Sequence, residues 1–176
     1  MNNKLNTKLK IIIKNNTTHP LSSNDIKQIN LLYKQCFQSS LSNDDSFDTY
    51  YCMLTYNKEI IGVFKIVDMI HSYELYDVCR KNPTQPFIIE NINEKHIYQR
   101  FMTESINEFI TYMKITKLTK LTKLTKPILL AIERENKYYN NAKKLYISVG
   151  FIHTNKHNLS YIYTIMMDVD IFILRT

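Results

Sequence analysis

The sequence predicts a mixed α/β domain: a mostly antiparallel sheet of six to seven strands with helices on both faces. Three observations predict it. Two β-rich apolar runs are joined by the short polar turn Asn57-Lys58-Glu59, and a third run follows after His71-Ser72, which makes a meander. Three other segments repeat their apolar residues at helical spacing. The two kinds of segment interleave as β α β β β α β α β, and helices alternating with such a meander cover both sides of one sheet.

Residues 1–7 read as a polar arm. Leu9 to Lys14 is β-branched and compact, a strand ended by Asn15-Asn16. Ser22 and Asp25 form a capping box, and Ile26, Ile29, Tyr33, Cys36 and Phe37 then mark one helical face. Gln38 to Asp48 is polar and acidic and reads as a loop. A substrate-specific segment and codon-biased filler account for it equally well. Tyr50 to Tyr56, Ile60 to Met69 and Tyr73 to Cys79 are the meander strands. Lys81 to Pro86 carries two prolines and suits neither a helix nor a central strand, and residues 87–94 are ambiguous.

From Lys95 to Lys114, Ile97, Phe101, Ile106, Phe109, Ile110 and Met113 mark a second buried helical face. Residues 116–126 are Lys-Leu-Thr triplets. A period of three fits neither a heptad nor a strand face, so the stretch reads as a surface loop, with DNA contact as its other reading. Ile128 to Ile132 is wholly apolar, as a buried central strand would be. Tyr139 to Val149 is a third helix, with Ala142, Leu145, Tyr146 and Val149 on one face. Gly150 is its left-handed cap, and Phe151 makes the accompanying apolar contact. Tyr161 to Val169 reads as a strand and Ile171 to Leu174 as a further candidate.

The 176 residues make one domain, residues 8–176, behind the arm. Hydrophobic residues at 44% and charged residues at 22% are those of a folding chain. The abundance of Asn, Lys and Ile suits AT-rich coding sequence, so part of the Lys and Asn is codon bias. The formal charge of +7 admits anionic partners, and a solvated basic surface explains it as well. Cys36, Cys52 and Cys79 are scattered among apolar residues, which reads as free buried thiols in a reducing compartment. The histidines are scattered too, so no metal site is expected. The apolar run Ile60 to Ile70 contains Lys65 and Asp68 and is too short to span a bilayer. Ile11-Ile12-Ile13 is too brief for a signal-peptide core. The expectation is a soluble, cytoplasmic protein without membrane or nucleic-acid partners, since no nucleic-acid motif is present.

One segment carries a more specific signal. After Leu130-Ala131-Ile132 and Asn136, the chain reads Ala142-x-x-Leu145-Tyr146-x-x-x-Gly150-Phe151. With the strand order, this resembles the GCN5-related N-acetyltransferases, whose signature is an apolar strand, an Asn and then A-x-x-L-Y-x-x-x-G-F. Glu74-Leu75-Tyr76-Asp77-Val78-Cys79 is similar to the family's fourth strand and Ile60-Ile61-Gly62-Val63 to the start of its third. The resemblance covers roughly residues 8–170.

The resemblance implies that the fourth and fifth strands splay apart and that a pantetheine arm fills the gap like an added strand. Asp77, Val78, Cys79 and Arg80 would line one side, and Ile132, Glu133 and Asn136 the other. Asn136 and Asn141 would hydrogen-bond coenzyme A or water near the thioester. The implied reaction is transfer of an acetyl group from acetyl-CoA, as co-substrate, to a primary amine by direct attack, without a metal. Tyr146 would protonate the leaving thiolate, and its other reading is a core aromatic. The main-chain amide after Val78 would polarise the carbonyl. Glu74 or Asp77, on opposite faces of the fourth strand, or Glu133 would take the amine's proton.

The family's diphosphate loop, Q/R-x-x-G-x-G/A, is not matched. The chain reads Tyr98-Gln99-Arg100-Phe101-Met102-Thr103 there and has no glycine between Gly62 and Gly150. Gln99 and Arg100 stand at the loop's position, and Arg80, Lys81 and Lys95 are further cations for the diphosphate. The alternative is a catalytically degenerate member of this fold acting as a scaffold. The acceptor class stays open, and Ile171 to Leu174 is a candidate homodimer edge.

Overall fold

The computed structural model describes residues 9–41, 47–81, 94–116, 126–134, 138–159 and 168–175. The strands are β1 (Leu9–Asn15), β2 (Thr49–Tyr56), β3 (Glu59–Asp68), β4 (Tyr73–Arg80), β5 (Ile128–Glu133), β6 (Ile152–Leu159) and β7 (Asp168–Leu174). The helices are α1 (Ser23–Phe37), α2 (Glu94–Thr116) and α3 (Tyr139–Val149). They form one seven-stranded sheet in the order β1-β2-β3-β4-β5-β7-β6. All neighbours pair antiparallel except β4 and β5, which are parallel.

The two faces bury different sets of side chains. On one, Ile29, Leu32 and Tyr33 of α1 pack on Met53, Ile60, Val63 and Cys79. On the other, Phe101, Met102, Ile106, Phe109 and Met113 of α2 and Tyr146 of α3 pack with Cys52, Phe64, Ile66, Leu75, Ile128, Leu130, Ile132 and Phe172. β2 is accordingly buried along nearly all its length, because both its faces are covered. The capping box forms as expected: Ser22 Oγ accepts from the Asp25 amide at 3.2 Å, and Asp25 accepts from the Ser22 amide at 2.7 Å. Lys14 of β1 adds an ion pair to the same carboxylate at 2.6 Å. Burial would raise the Asp25 pKa, but the hydrogen bonds from Lys14 and Ser22 outweigh it and hold the pKa below the usual value.

The structure corrects three expectations, on the buried face of α1, the edge at Ile171 to Leu174 and the three free thiols, and it adds a strand, β6. The buried face of α1 is turned toward Leu32, leaving Ile26 and Phe37 largely exposed. The cause is that α1 lies mainly along β3 and β4. β6 occupies a segment, His-Thr-Asn-Lys-His-Asn, too polar to show alternation. It is an edge strand, and one polar side is what an edge tolerates. The expected strand at 161–169 lies outside the described residues up to 167, and its last two positions begin β7. β7 itself is no free edge: it sits between β5 and β6, paired on both sides, which is why its sequence is apolar. Finally, Cys36 and Cys79 are joined by a disulfide across 43 residues, with a Cα–Cα separation of 6.0 Å. Packing α1 on β4 brings these two together, a proximity that spacing along the chain does not reveal. Cys52 is free and buried, and burial pushes its thiol pKa up. The residues of the Lys-Leu-Thr repeat lie outside the described segments, except at its ends.

Candidate active site

The site is made by a failure of pairing. β4 and β5 share only two register pairs, Tyr73 with Ile128 and Glu74 with Leu129. Beyond them β4 continues to Arg80 paired to β3 alone, while β5 continues to Glu133 paired to β7 alone. The strands therefore diverge after Glu74 and Leu129. Between Leu75–Arg80 and Leu130–Glu133 lie two backbone edges whose polar groups face each other without a ladder.

β4 is also bulged inside this opening. Lys65 pairs with Tyr76 and Val63 with Cys79, so Asp77 and Val78 together oppose Phe64. Asp77 has φ of +52°, the left-handed region that Asp tolerates better than most residues. A bulge re-aims side chains, and this one corrects a sequence expectation. Strict alternation puts Glu74 and Asp77 on opposite faces of β4, whereas in the structure both stand on the α1 side. Glu74 accepts a hydrogen bond from the hydroxyl of Tyr76 and lies 3.3 Å from Ser72 Oγ. Asp77 pairs with Lys65 at 2.7 Å and accepts from Tyr33 Oη of α1 at 3.3 Å. The Lys65 ammonium sits over the Tyr76 ring, 5.8 Å from its centre. Past the bulge, Val78 packs against the α2–α3 core and Cys79 returns to the α1 side, where its sulfur is bonded to Cys36. Arg80 is exposed at the end of the strand.

Tyr146 lies on the other face. It is the buried residue of α3, which packs on β5. Its ring is fixed by the motif that follows it. Gly150 caps the helix at φ of +108°, the Gly150 amide donates to Ile147 O and the Phe151 amide to Tyr146 O, each at 3.0 Å. Phe151 thereby meets Tyr146 edge to face, with ring centres 5.9 Å apart. The spacing L-Y-x-x-x-G-F is thus a device for holding one tyrosine against the sheet.

The remaining sequence candidates are less close-set. Asn141 is exposed in the first turn of α3. Arg100 is exposed on α2 and pairs with Glu104 at 2.5 Å. Gln99 lies in α2, with its side chain outside what is described, and Asn136 lies outside the described residues. Ile132 is buried at the end of β5, and Glu133 follows it on the opposite face.

Sequence reading missed one polar centre. Asp170 of β7 is buried in register with Ile132. Its Oδ1 accepts from Arg134 Nε at 2.8 Å. Its Oδ2 accepts from the Tyr139 hydroxyl and lies 3.1 Å from His153 Nε2. Burial would raise its pKa, but Tyr139, Arg134 and His153 together hold it down at about 2. The signal was available: a lone carboxylate in the apolar run Val169-Asp170-Ile171-Phe172 must find partners.

No protein-family model matches the chain, and no curated protein matches it in sequence. Solved structures do match, over nearly the whole length. Arabidopsis thaliana Naa50, determined in complex with the bisubstrate analogue CoA-Ac-MVNAL, superposes with a TM-score of 0.60 at 12% identity, covering 96% of this chain and 99% of that one. An acyl-CoA N-acyltransferase from Pseudomonas aeruginosa gives 0.56 at 11% identity, with 94% and 98% covered. An N-acetyltransferase from Staphylococcus aureus Mu50 gives 0.56 at 17%, with 94% and 97% covered. The chain has the GCN5-related N-acetyltransferase fold. The parallel pair β4–β5 is the place where this acetyltransferase fold opens here, and the L-Y-x-x-x-G-F helix stands beside it. No helix among the described residues is long and apolar enough to cross a membrane. Among the same residues, no group of three or more His, Cys, Asp or Glu could hold a metal ion.

Proposed function

We propose that the chain is an acetyl-CoA-dependent N-acetyltransferase that passes the acetyl group directly to a primary amine. The observation that carries this reading is the divergence of β4 from β5 after two register pairs, with a bulge at Asp77–Val78 inside the opening. A pantetheine arm carries two amides, and an extended amide chain satisfies unpaired strand edges as an added strand does. The two faces of the opening then hold different chemistry. The amine approaches from the α1 side, where Glu74 and Asp77 stand. Its nitrogen attacks the thioester carbonyl, whose oxygen is polarised by the amide that follows Val78. The amine's proton passes to a carboxylate, directly or through water. The C–S bond breaks and the thiolate takes its proton from Tyr146, on the α3 side.

Between the two carboxylates the contacts discriminate. Asp77 is held by Lys65 and Tyr33, so its carboxylate is already engaged. Among the described residues, Glu74 is bonded to the hydroxyls of Ser72 and Tyr76, which can give way to water. Glu74 is therefore the better base. The diphosphate is held, on this reading, by the cations Arg80, Lys81, Lys95 and Arg100 rather than by a glycine-rich nest.

A second reading, a scaffold that has lost catalysis, is favoured by one feature: no glycine lies between Gly62 and Gly150. Mass spectrometry on a panel of small amines and peptides incubated with acetyl-CoA separates the two. Acetylated product that is lost with Glu74→Gln supports transfer. A folded protein that binds acetyl-CoA and acetylates nothing in the panel supports the scaffold.

A further inference from the structure

We propose that Asp170 is a positioning residue, which through Tyr139 sets how α3 presents Tyr146 to the β4–β5 opening. The inference rests on the proposed role of Tyr146. α3 begins without the usual devices. Its N-cap, Tyr138, makes no side-chain cap hydrogen bond, and its first turn holds no acidic residue. Its start is held instead from the side. Tyr139, the first helical residue, donates its hydroxyl to Asp170, and Lys143, one turn on, lies 3.3 Å from the same hydroxyl.

The same carboxylate takes Arg134, the residue that follows β5, at 2.8 Å, and faces His153 of β6 at 3.1 Å. Three elements thus converge on one carboxylate that is itself only 2% exposed. Buried charge is retained only where it is fully partnered, and its partners are then fixed in direction. Tyr139 and Tyr146 are seven residues apart, about two helical turns, and so share a face of α3 within about 20°. A shift at Tyr139 is carried along that face to Tyr146 as a rigid displacement. Asp170 makes no contact with the acyl group in this scheme; it acts through α3.

The test is a double-mutant cycle between Tyr139→Phe and Tyr146→Phe, assayed well below the melting temperature of each variant. Tyr139→Phe keeps the ring and removes the hydroxyl that Asp170 holds. Expected is a loss of kcat of about 10- to 100-fold with KM for acetyl-CoA nearly unchanged, and no further loss in the Tyr146→Phe background. Asp170→Asn should reproduce the kcat effect. Equal losses in both backgrounds would overturn the proposal, since a purely structural role multiplies through. An arm independent of turnover places 3-fluorotyrosine at position 146 and reads its fluorine resonance without ligand. Tyr139→Phe should move or broaden it, and an unchanged resonance overturns the proposal. If the wild-type protein proves inactive, the acetyltransferase reading fails, and the fluorine resonance alone decides whether Asp170 positions Tyr146.

Discussion

Tyr146 and Gly150 act as one unit at the residue scale. The αL cap at Gly150 turns the chain so that Phe151 meets the Tyr146 ring. A Cβ at position 150 would find Leu174 Cδ1 at 3.5 Å, an ordinary contact, so the cost of Gly150→Ala comes from φ of +108°. It should destabilise by about 1–2 kcal/mol in urea unfolding. Tyr146→Phe keeps the buried ring and removes only the hydroxyl proposed to protonate the thiolate. It should leave the melting temperature nearly unchanged and lower kcat about 100-fold. Asp170 gives a pH signature. Its folded pKa, about 2, lies below the unfolded value of 3.8. A depressed carboxylate stabilises fully above the unfolded pKa and loses that contribution as pH falls through the folded one. Roughly 2 kcal/mol should therefore disappear between about pH 4 and pH 2. Urea titrations across that range should show a shallower slope in Asp170→Asn than in the wild type, with Asp25, whose pKa is also held low, supplying part of what remains.

Among the elements, the link between α1 and β4 has the clearest consequence. The Cys36–Cys79 disulfide ties the end of α1 to the strand that forms one wall of the opening. Closing a loop across 43 residues stabilises by about 2–4 kcal/mol in the chain-entropy account. Cys36→Ser should then lower the melting temperature by roughly 5–15 °C. Thiol labelling of the native protein should find none reactive before reduction, because Cys52 is fully buried, and two after mild reduction. One thiol labelled in the unreduced native protein would contradict this packing. Sequence reading located the strands and helices whose period was strong, down to both ends of α3. It missed what depends on contacts between distant segments: the disulfide, the bulge that turns Asp77 to the side of Glu74, and the polar edge strand β6. None of these has a local period, and each is set by a partner far along the chain.

On the scale of the whole molecule, the architecture was largely written in the order of elements, since a meander interleaved with helices has few ways to close around one core. The candidate site was legible in part. The A-x-x-L-Y-x-x-x-G-F run marks Tyr146 because the cap and the ring contact must sit at fixed spacing on one helix. The opening itself is backbone geometry, which carries no side-chain code. The central claim is that this opening is a pantetheine cleft that works without a glycine-rich loop. Isothermal titration calorimetry with acetyl-CoA at moderate salt tests it most directly, with desulfo-coenzyme A and ATP as controls. Micromolar binding is predicted, about −7 to −8 kcal/mol, retained by desulfo-coenzyme A and absent for ATP. A folded protein that binds neither pantetheine ligand at millimolar concentration, or binds ATP equally well, would contradict the claim.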